Sequence, residues 1–246
     1  MNIAIMQPYL FPYIGYFQLM SQVDTWIIFD DIQFTVKGWV NRNRILHPDH
    51  RKTWQYITIP INRKDRFTHI KNVTIPDPNW KLNFFNKLSS YRQIAPNYSK
   101  TLQIIHKSLP ETETFNLIDI LEFSLTQISH RFNLNPTFYR QSELINANLD
   151  IRHPGQWALR ICEHLGASNY YNLSGAPEIF SEEEFDNSGI HLWFVKPNLK
   201  PYNQKKNGFV PGLSIIDALM WNSLDEVAKM AQSPGPILTK SEICNE

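Results

Sequence analysis

The chain has 246 residues, 42% of them hydrophobic and 13% aromatic, with a formal net charge of +1. That length suits one large domain or two small ones, and the apolar content excludes wholesale disorder. The near-neutral balance excludes a bulk polyanion binder and an acidic solvating protein. The two cysteines, Cys162 and Cys244, match no metal or redox spacing, and Cys162 sits in an apolar run that reads as core. No charged leader precedes an apolar stretch, and no apolar run approaches the ~18 residues that span a bilayer. A cytoplasmic protein without a transmembrane segment is the expectation.

In chain order, residues 1–6 read as a buried strand that must stop near Gln7, because Pro8 and Pro12 cannot donate to a sheet ladder. Residues 14–22 read as a helix entered at Gly15, and residues 25–29 as a second strand ending at Asp30-Asp31. A β-α-β start of this spacing favours a parallel sheet with a right-handed crossover. Residues 54–60 and 69–76 read as further strands, each closed by proline, around a charged turn at 62–66. Residues 79–135 read as helical, with Ile118, Leu121, Leu125, Ile128 and Phe132 forming an apolar stripe at helical spacing. That stripe is core, not a site.

The last third returns to mixed structure. A helix over 156–165 is stopped by Gly166, strands follow at 169–173 and 191–195, and a helix at 213–222. Ser181 with Glu184, and Ser223 with Glu226, have capping-box spacing. The segment from Ser233, with Pro234-Gly235-Pro236, reads as a mobile tail. The fold class is therefore α/β: a Rossmann-like parallel sheet, a helical middle segment and a mixed α/β C-terminal part. The zones run 1–78, 79–135, 136–232 and 233–246, expected to form one compact unit.

Five constellations bear on chemistry. The loop from Gln7 through Tyr9 and Tyr13 to Gly15 and Tyr16 joins a strand to a helix N-terminus, where α/β proteins place ligands. It reads equally as a loop packed on the core. Residues 37–71 hold nine Lys or Arg against two Asp, with His47, His50, His69 and the rings of Trp39, Trp54, Tyr56 and Phe67 interleaved. Such a segment can stack a base and hold phosphate, or form a solvated hairpin with snorkelling side chains. Asp30 and Asp31 end the second strand, so one can bind a metal or a hydroxyl while the other serves as a cap. The run Lys37-Gly38-Trp39-Val40-Asn41-Arg42-Asn43-Arg44 is dense in donors, and Arg42 and Arg44 suit bidentate bonds to phosphate or carboxylate. Asn172 through Ser174 and Gly175 to Pro177 is a second strand-to-loop junction of small residues. Walker A, G-x-G-x-x-G, H-E-x-x-H and G-x-S-x-G patterns are absent from the sequence, and no metal site is expected.

These residues resemble a known family. The stretch from Gln7-Pro8-Tyr9 to Gly15-Tyr16-Phe17-Gln18-Leu19, then Asp30-Asp31-Ile32-Gln33-Phe34 and the run from Gly38 to Arg44, are similar to the WbqC-like family of bacteria. The likeness continues through Arg160, Leu165-Gly166-Ala167, Tyr171-Asn172, Ser174-Gly175, Phe185, Gly189-Ile190, the block Pro211-Gly212-Leu213-Ser214-Ile215-Ile216-Asp217 and Met220. It implies a role in O-antigen or related surface-polysaccharide biosynthesis, with a proposed glycine or aminoacyl transfer onto a sugar. It brings no catalytic residues with it. A more remote likeness is to pantothenate synthetase and other nucleotidyltransferase-like enzymes, whose His-x-Gly-His motif has its place here at Tyr13-Ile14-Gly15-Tyr16. It implies an adenylate-forming amide ligase, against which stands the replacement of both histidines by neutral tyrosine.

The leading expectation is a transferase or amide ligase acting on a sugar nucleotide or its glycan product, its cofactor left open with ATP and a sugar nucleotide as the possibilities, and with Asp31, Gln33 and Lys37 as catalytic candidates. The substrate would meet Gln7, Tyr9, Tyr13, Gly15, Tyr16, Trp39, Asn41, Arg42, Asn43, Arg44, Ser174 and Gly175. The partner is a small molecule, a sugar nucleotide or glycan precursor, rather than duplex nucleic acid. The rival is a non-catalytic module that binds a sugar nucleotide or a partner protein of the same pathway. An enzyme should gather residues 7–16, 31–44 and 174–175 on one concave pocket, whereas an interaction module can leave them on separate surfaces.

Overall fold

A computed structural model describes residues 1–49, 51–77, 79–111, 115–145, 149–205 and 208–245. Residue 78, the expected end of the first zone, and His50 of the basic segment lie outside them. The chain opens with β1 (Asn2–Met6), α1 (Ile14–Met20) and β2 (Thr25–Ile28), the expected β-α-β unit. A long excursion follows: the hairpin β3 (Arg42–Leu46) and β4 (Trp54–Thr58), then α2 (Trp80–Leu88), α3 (Tyr98–Lys107) and α4 (Leu117–Arg131). The chain re-enters the sheet as β5 (Thr137–Arg140) and continues through α5 (Gln141–Leu144), α6 (Gln156–Leu165), β6 (Asn169–Leu173), α7 (Glu182–Asn187) and β7 (His191–Val195). It ends with α8 (Ile215–Trp221), α9 (Leu224–Ala231), β8 (Ile237–Leu238) and α10 (Lys240–Cys244).

The large sheet has six strands in the order β5-β2-β1-β6-β7-β8. All neighbours are parallel except β8, which runs antiparallel to β7. Numbered along the chain, these strands stand 3-2-1-4-5-6, the doubly wound Rossmann order. The period of two along β1 and β2 sorts their side chains into two cores. Ala4, Trp26 and Ile28 face the larger one, with α1, α4, α8 and α9. Ile3, Ile5 and Ile27 face the other, with α6 and Phe185 of α7. Covering on both faces explains why the central strands read as unbroken apolar runs. The stripe from Ile118 to Phe132 is fully buried, as its spacing requires.

Local signals are obeyed where they are strong. Gly166 ends α6 in the left-handed region, with φ 65°. Ser223 and Glu226 form a reciprocal capping box, and the Ser181 hydroxyl accepts the Glu184 N–H. Residues 69–76 differ from expectation. A 3-10 turn at Ile70–Asn72 replaces the strand, because the N–H groups of Ile70 and Lys71 are taken by the carbonyls of Ile32 and Asp30. The segment from Ser233 carries β8 and a Thr239–Glu242 capping box, with the Gly235 N–H donating to the Lys196 carbonyl at 2.9 Å. Among the described residues no helix is long and apolar enough to cross a membrane.

One buried carboxylate ties the excursion to α8 and the segment before it. Asp217, in the first turn of α8, has no solvent exposure and accepts four hydrogen bonds. Tyr91 (2.6 Å) and Trp221 (3.3 Å) donate to Oδ1, and Tyr202 (2.7 Å) and Gln204 (2.7 Å) donate to Oδ2. Burial pushes the Asp217 carboxyl above its ordinary value, while these four donors pull against it. Tyr91 reaches further, accepting the Leu46 N–H of β3 at 2.8 Å. Tyr91→Phe removes a donor from the carboxylate and strands that N–H. It should cost about 1–3 kcal/mol in urea unfolding, with an unchanged m-value.

Candidate functional site

In a doubly wound sheet the chain leaves adjacent central strands in opposite directions, opening a crevice beyond their C-terminal ends. Here those strands are β1 and β6, and a cavity of about 450 Å³ lies there. Its volume falls within the ~300–1,000 Å³ usual for small-molecule sites. Met6 ends β1 on its floor; Tyr9 and Tyr13 come from the proline loop; Trp39, Asn43 and Arg44 come from the hairpin region. Asn172 and Leu173 end β6 and residues 174–176 follow it, Pro197 follows β7, and Gly212 precedes α8. Two other cavities lie elsewhere. One of about 150 Å³ between α1 and α9 shares only Gly212, and one of about 400 Å³ lies beside α3 and the start of α9.

The proline loop is held in an unfavourable shape. Phe11 has φ 42°, left-handed backbone that a bulky residue adopts only under constraint. The constraint comes from two buried side chains. The Asn43 amide donates to the carbonyls of Leu10 (3.0 Å) and Phe11 (2.8 Å), and the Ser214 hydroxyl donates to Phe11 at 2.7 Å. The Ile215 N–H adds a bond to the Pro12 carbonyl at 2.9 Å. The loop is thus clamped between β3 and the N-terminus of α8. Gly15 belongs to the same arrangement, since a Cβ there would stand 2.5 Å from the Tyr13 ring.

Both phenols at the wall are neutral donors. Burial raises the Tyr9 hydroxyl, and burial together with neighbouring Tyr9 pushes Tyr13 up to about 12. Arg44 is the only charged side chain lining the cavity among the described residues. Its guanidinium carbon lies 5.1 Å from the Trp39 ring centre and 5.4 Å from that of Trp54. Ser174 donates its N–H to the Val195 carbonyl at 3.2 Å, and exposed Gly175 has open space where a Cβ would be. Tyr9, Tyr13, Trp39, Asn43, Arg44, Ser174 and Gly175 therefore meet at one cavity, although they come from three separate stretches of sequence.

The other candidates lie outside its lining. Tyr16 is fully buried and donates to the Gln7 carbonyl at 2.6 Å, closing the end of β1. The Asn41 amide bonds the Ile59 carbonyl at 2.8 Å, within the hairpin. Arg42 donates to the carbonyls of Gly38 and Lys37 and lies 4.2 Å from the Tyr56 ring centre. Lys37 is exposed, with φ 69°. Gln33 donates to the Arg66 carbonyl at 2.7 Å. Asp30 accepts from the Ser142 N–H and hydroxyl, so it caps α5. Asp31 meets His69 Nδ1 and Lys71 Nζ, both at 2.8 Å. Partial burial raises its carboxyl, but the bonds and charges of Lys71 and His69 outweigh this and hold it below its ordinary value. Among the described residues no group of three His, Cys, Asp or Glu side chains is placed to hold a metal ion.

The profile of the WbqC-like protein family matches residues 7–229. The chain belongs to the WbqC-like family. It is also 27% identical over 220 residues to an uncharacterized protein, Rv1507c, of Mycobacterium tuberculosis (strain ATCC 25618 / H37Rv). That alignment covers 89% of this chain and 92% of the relative. No solved structure matches the chain. In this WbqC-like protein the lining residues that the sequence did not single out for chemistry are Met6, Pro197 and Gly212, while Asn172, Leu173 and Ala176 stood in the second strand-to-loop junction without being named as substrate contacts. Most of them follow from the strand-end rule once the strand order is known; Gly212 stood in the resemblance without a place in space.

Asn43→Ala leaves the buried carbonyls of Leu10 and Phe11 short of a donor. It should lower stability by about 1–3 kcal/mol in chemical denaturation. Asp31→Asn gives a smaller, pH-dependent effect. A carboxyl held below its unfolded value stabilises the fold above that value, and the contribution is lost as pH falls through the folded one. The wild type should exceed the variant by less than about 1 kcal/mol near pH 7, since the pair is partly exposed. Unfolding titrations in increasingly acidic buffer should show the gap closing.

Proposed function

We propose that the cavity beyond β1 and β6 is a substrate site, and that this WbqC-like protein is a cytoplasmic transferase acting on a sugar precursor of surface polysaccharide. The observation that carries the reading is convergence. Tyr9 and Tyr13, Trp39 and Arg44, and Ser174 and Gly175 are far apart in sequence and line one concave site. Its chemistry suits a polar ring compound. Trp39 offers an apolar face, the two phenols and the amide of Asn172 offer hydrogen bonds, and Arg44 offers positive charge. Glycine or another aminoacyl group is the transferred moiety in this reading, with a sugar nucleotide or glycan precursor as acceptor. ATP dependence draws no support from Tyr13, whose neutral phenol supplies no charge to a phosphate.

One observation favours a second reading, that of a non-catalytic binding protein of the same pathway. Among the described residues the lining holds no carboxylate, imidazole, amine or thiol to move a proton. Calorimetric titration with UDP-sugars, ATP and glycine separates the readings when combined with a turnover assay on the ligands that bind. A transferase binds a sugar nucleotide and releases more than one equivalent of aminoacylated product; a binding protein shows the affinity alone. Trp39→Ala should weaken binding by about tenfold. Full affinity in that variant would remove the cavity from the account.

A further inference from the structure

Arg42 and Arg44 look equivalent in sequence but their donors are spent differently. Arg42 gives Nε to the Gly38 carbonyl at 2.9 Å and Nη2 to that of Lys37. Its paired edge is therefore consumed in closing its own loop. Arg44 gives Nη2 to the Gly212 carbonyl at 3.1 Å, while its Nε is buried without any hydrogen-bond partner. A buried N–H without an acceptor is rare in native proteins and asks for an explanation. This one belongs to the only cation that lines the cavity among the described residues.

The surroundings fix the guanidinium without satisfying it. Trp39 and Trp54 stand within 5.1 and 5.4 Å of its central carbon, and Gly212 closes a third side. A Cβ at Gly212 would lie 3.3 Å from Arg44 Nη2, so a side chain there would crowd the group. The Cδ–Nε bond lies in the guanidinium plane, so it is a change in the torsions of the side-chain stem that brings the Nε–H, buried in this structure, to a ligand oxygen while the group keeps its place against the indoles. Trp54 lies outside the lining and acts on the ligand only through Arg44.

We propose that the cavity selects a substrate carrying an oxyanion, a carboxylate or a phosphate ester, received by Arg44 through Nε, with Trp54 as the positioning residue that holds the guanidinium. The proposal rests on the reading of this cavity as the substrate site. Neutral sugars would leave Nε unpaired and bind less well. Lysine at position 44 would keep the charge and lose the planar, directional donor.

Nitrogen-15 NMR of arginine Nε–H groups reads the claim directly, with the Arg44 signal assigned by its loss in Arg44→Lys. Glucose 1-phosphate and glucuronate supply the two kinds of oxyanion, and methyl glucoside is the neutral comparison. The Arg44 Nε–H signal should shift saturably with one or both anions and stay still with methyl glucoside. Trp54→Leu should weaken that titration about tenfold, and Trp54→Phe should restore most of it. An Arg44 signal unmoved by either anion, while the amides of Ser174 and Gly175 respond, overturns oxyanion selection and leaves the cavity as a site. Equal shifts with methyl glucoside also overturn it. Silence of Arg44, Ser174 and Gly175 towards all three compounds removes the site itself. An unchanged titration in Trp54→Leu overturns the positioning role, and if that variant does not fold, the wild-type titration still decides the main claim.

Discussion

The upper face of this protein hangs on a carboxylate that solvent cannot reach. Asp217 accepts from Tyr91, Trp221, Tyr202 and Gln204, which come from the helical excursion, from α8 itself and from the strap that precedes α8. A buried charge of this kind is tolerable only when its lone pairs are filled, and here four donors fill them. Two of the donors are phenols that burial and the carboxylate itself drive well above their ordinary values, so both keep their protons. One step outward, Tyr91 fixes Leu46 in β3, while Ser214 and Ile215 at the start of α8 fix the proline loop. The cavity walls are therefore not independent loops. Arg44, Gly212, Phe11 and Tyr13 all lie within one or two bonds or residues of this network, and the strained backbone at Phe11 persists because the network over-determines it.

The same arrangement explains why the hairpin matters although it pairs with no strand of the main sheet. Its inward positions, Asn43 and Ile45, are buried, and its alternate positions, Arg42 and Arg44, face the aromatic rings of Trp39, Trp54 and Tyr56. One strand thus clamps the proline loop through Asn43 and presents a cation to the cavity through Arg44. Residues adjacent in sequence serve opposite faces because strand side chains alternate.

That alternation also marks the limit of what the sequence discloses. The central strands, α6 with its stop at Gly166, and the Ser223–Glu226 box are written in local patterns, and local patterns suffice for them. The strand at Arg42–Leu46 was hidden, because polar side chains on both faces erase the apolar-polar rhythm. Its partner at Trp54–Thr58 was visible, and pairing the two would have put Asn43 in a buried register opposite Ile57. The short edge strand Thr137–Arg140 was hidden for another reason, since it has only four residues and one neighbour. Within the site, the sequence carried the blocks but not their division of labour. Tyr9 and Tyr13 face the cavity while Tyr16 is sealed beneath Trp26, and Arg42 is spent on backbone carbonyls that only the fold brings near. Composition cannot reveal which donors remain unpaired.

The make-up of the lining bears on which acceptors a transferase built here could use. A hydroxyl acceptor stays protonated near neutral pH and needs a base to attack an acyl donor. The lining offers Tyr9 and Tyr13, whose phenols are raised rather than lowered, and no carboxylate or imidazole among the described residues. An amine is different. With a pKa near 8, roughly a tenth of it is unprotonated at pH 7 and attacks without assistance. What such a reaction asks of the protein is orientation and stabilisation of the developing oxyanion, and both can be worth several powers of ten. The phenol hydroxyls of Tyr9 and Tyr13, a stacked guanidinium and the N–H of the open Gly175 are groups of that kind. On chemical grounds, amide formation on an amino group fits this cavity better than ester formation on a hydroxyl.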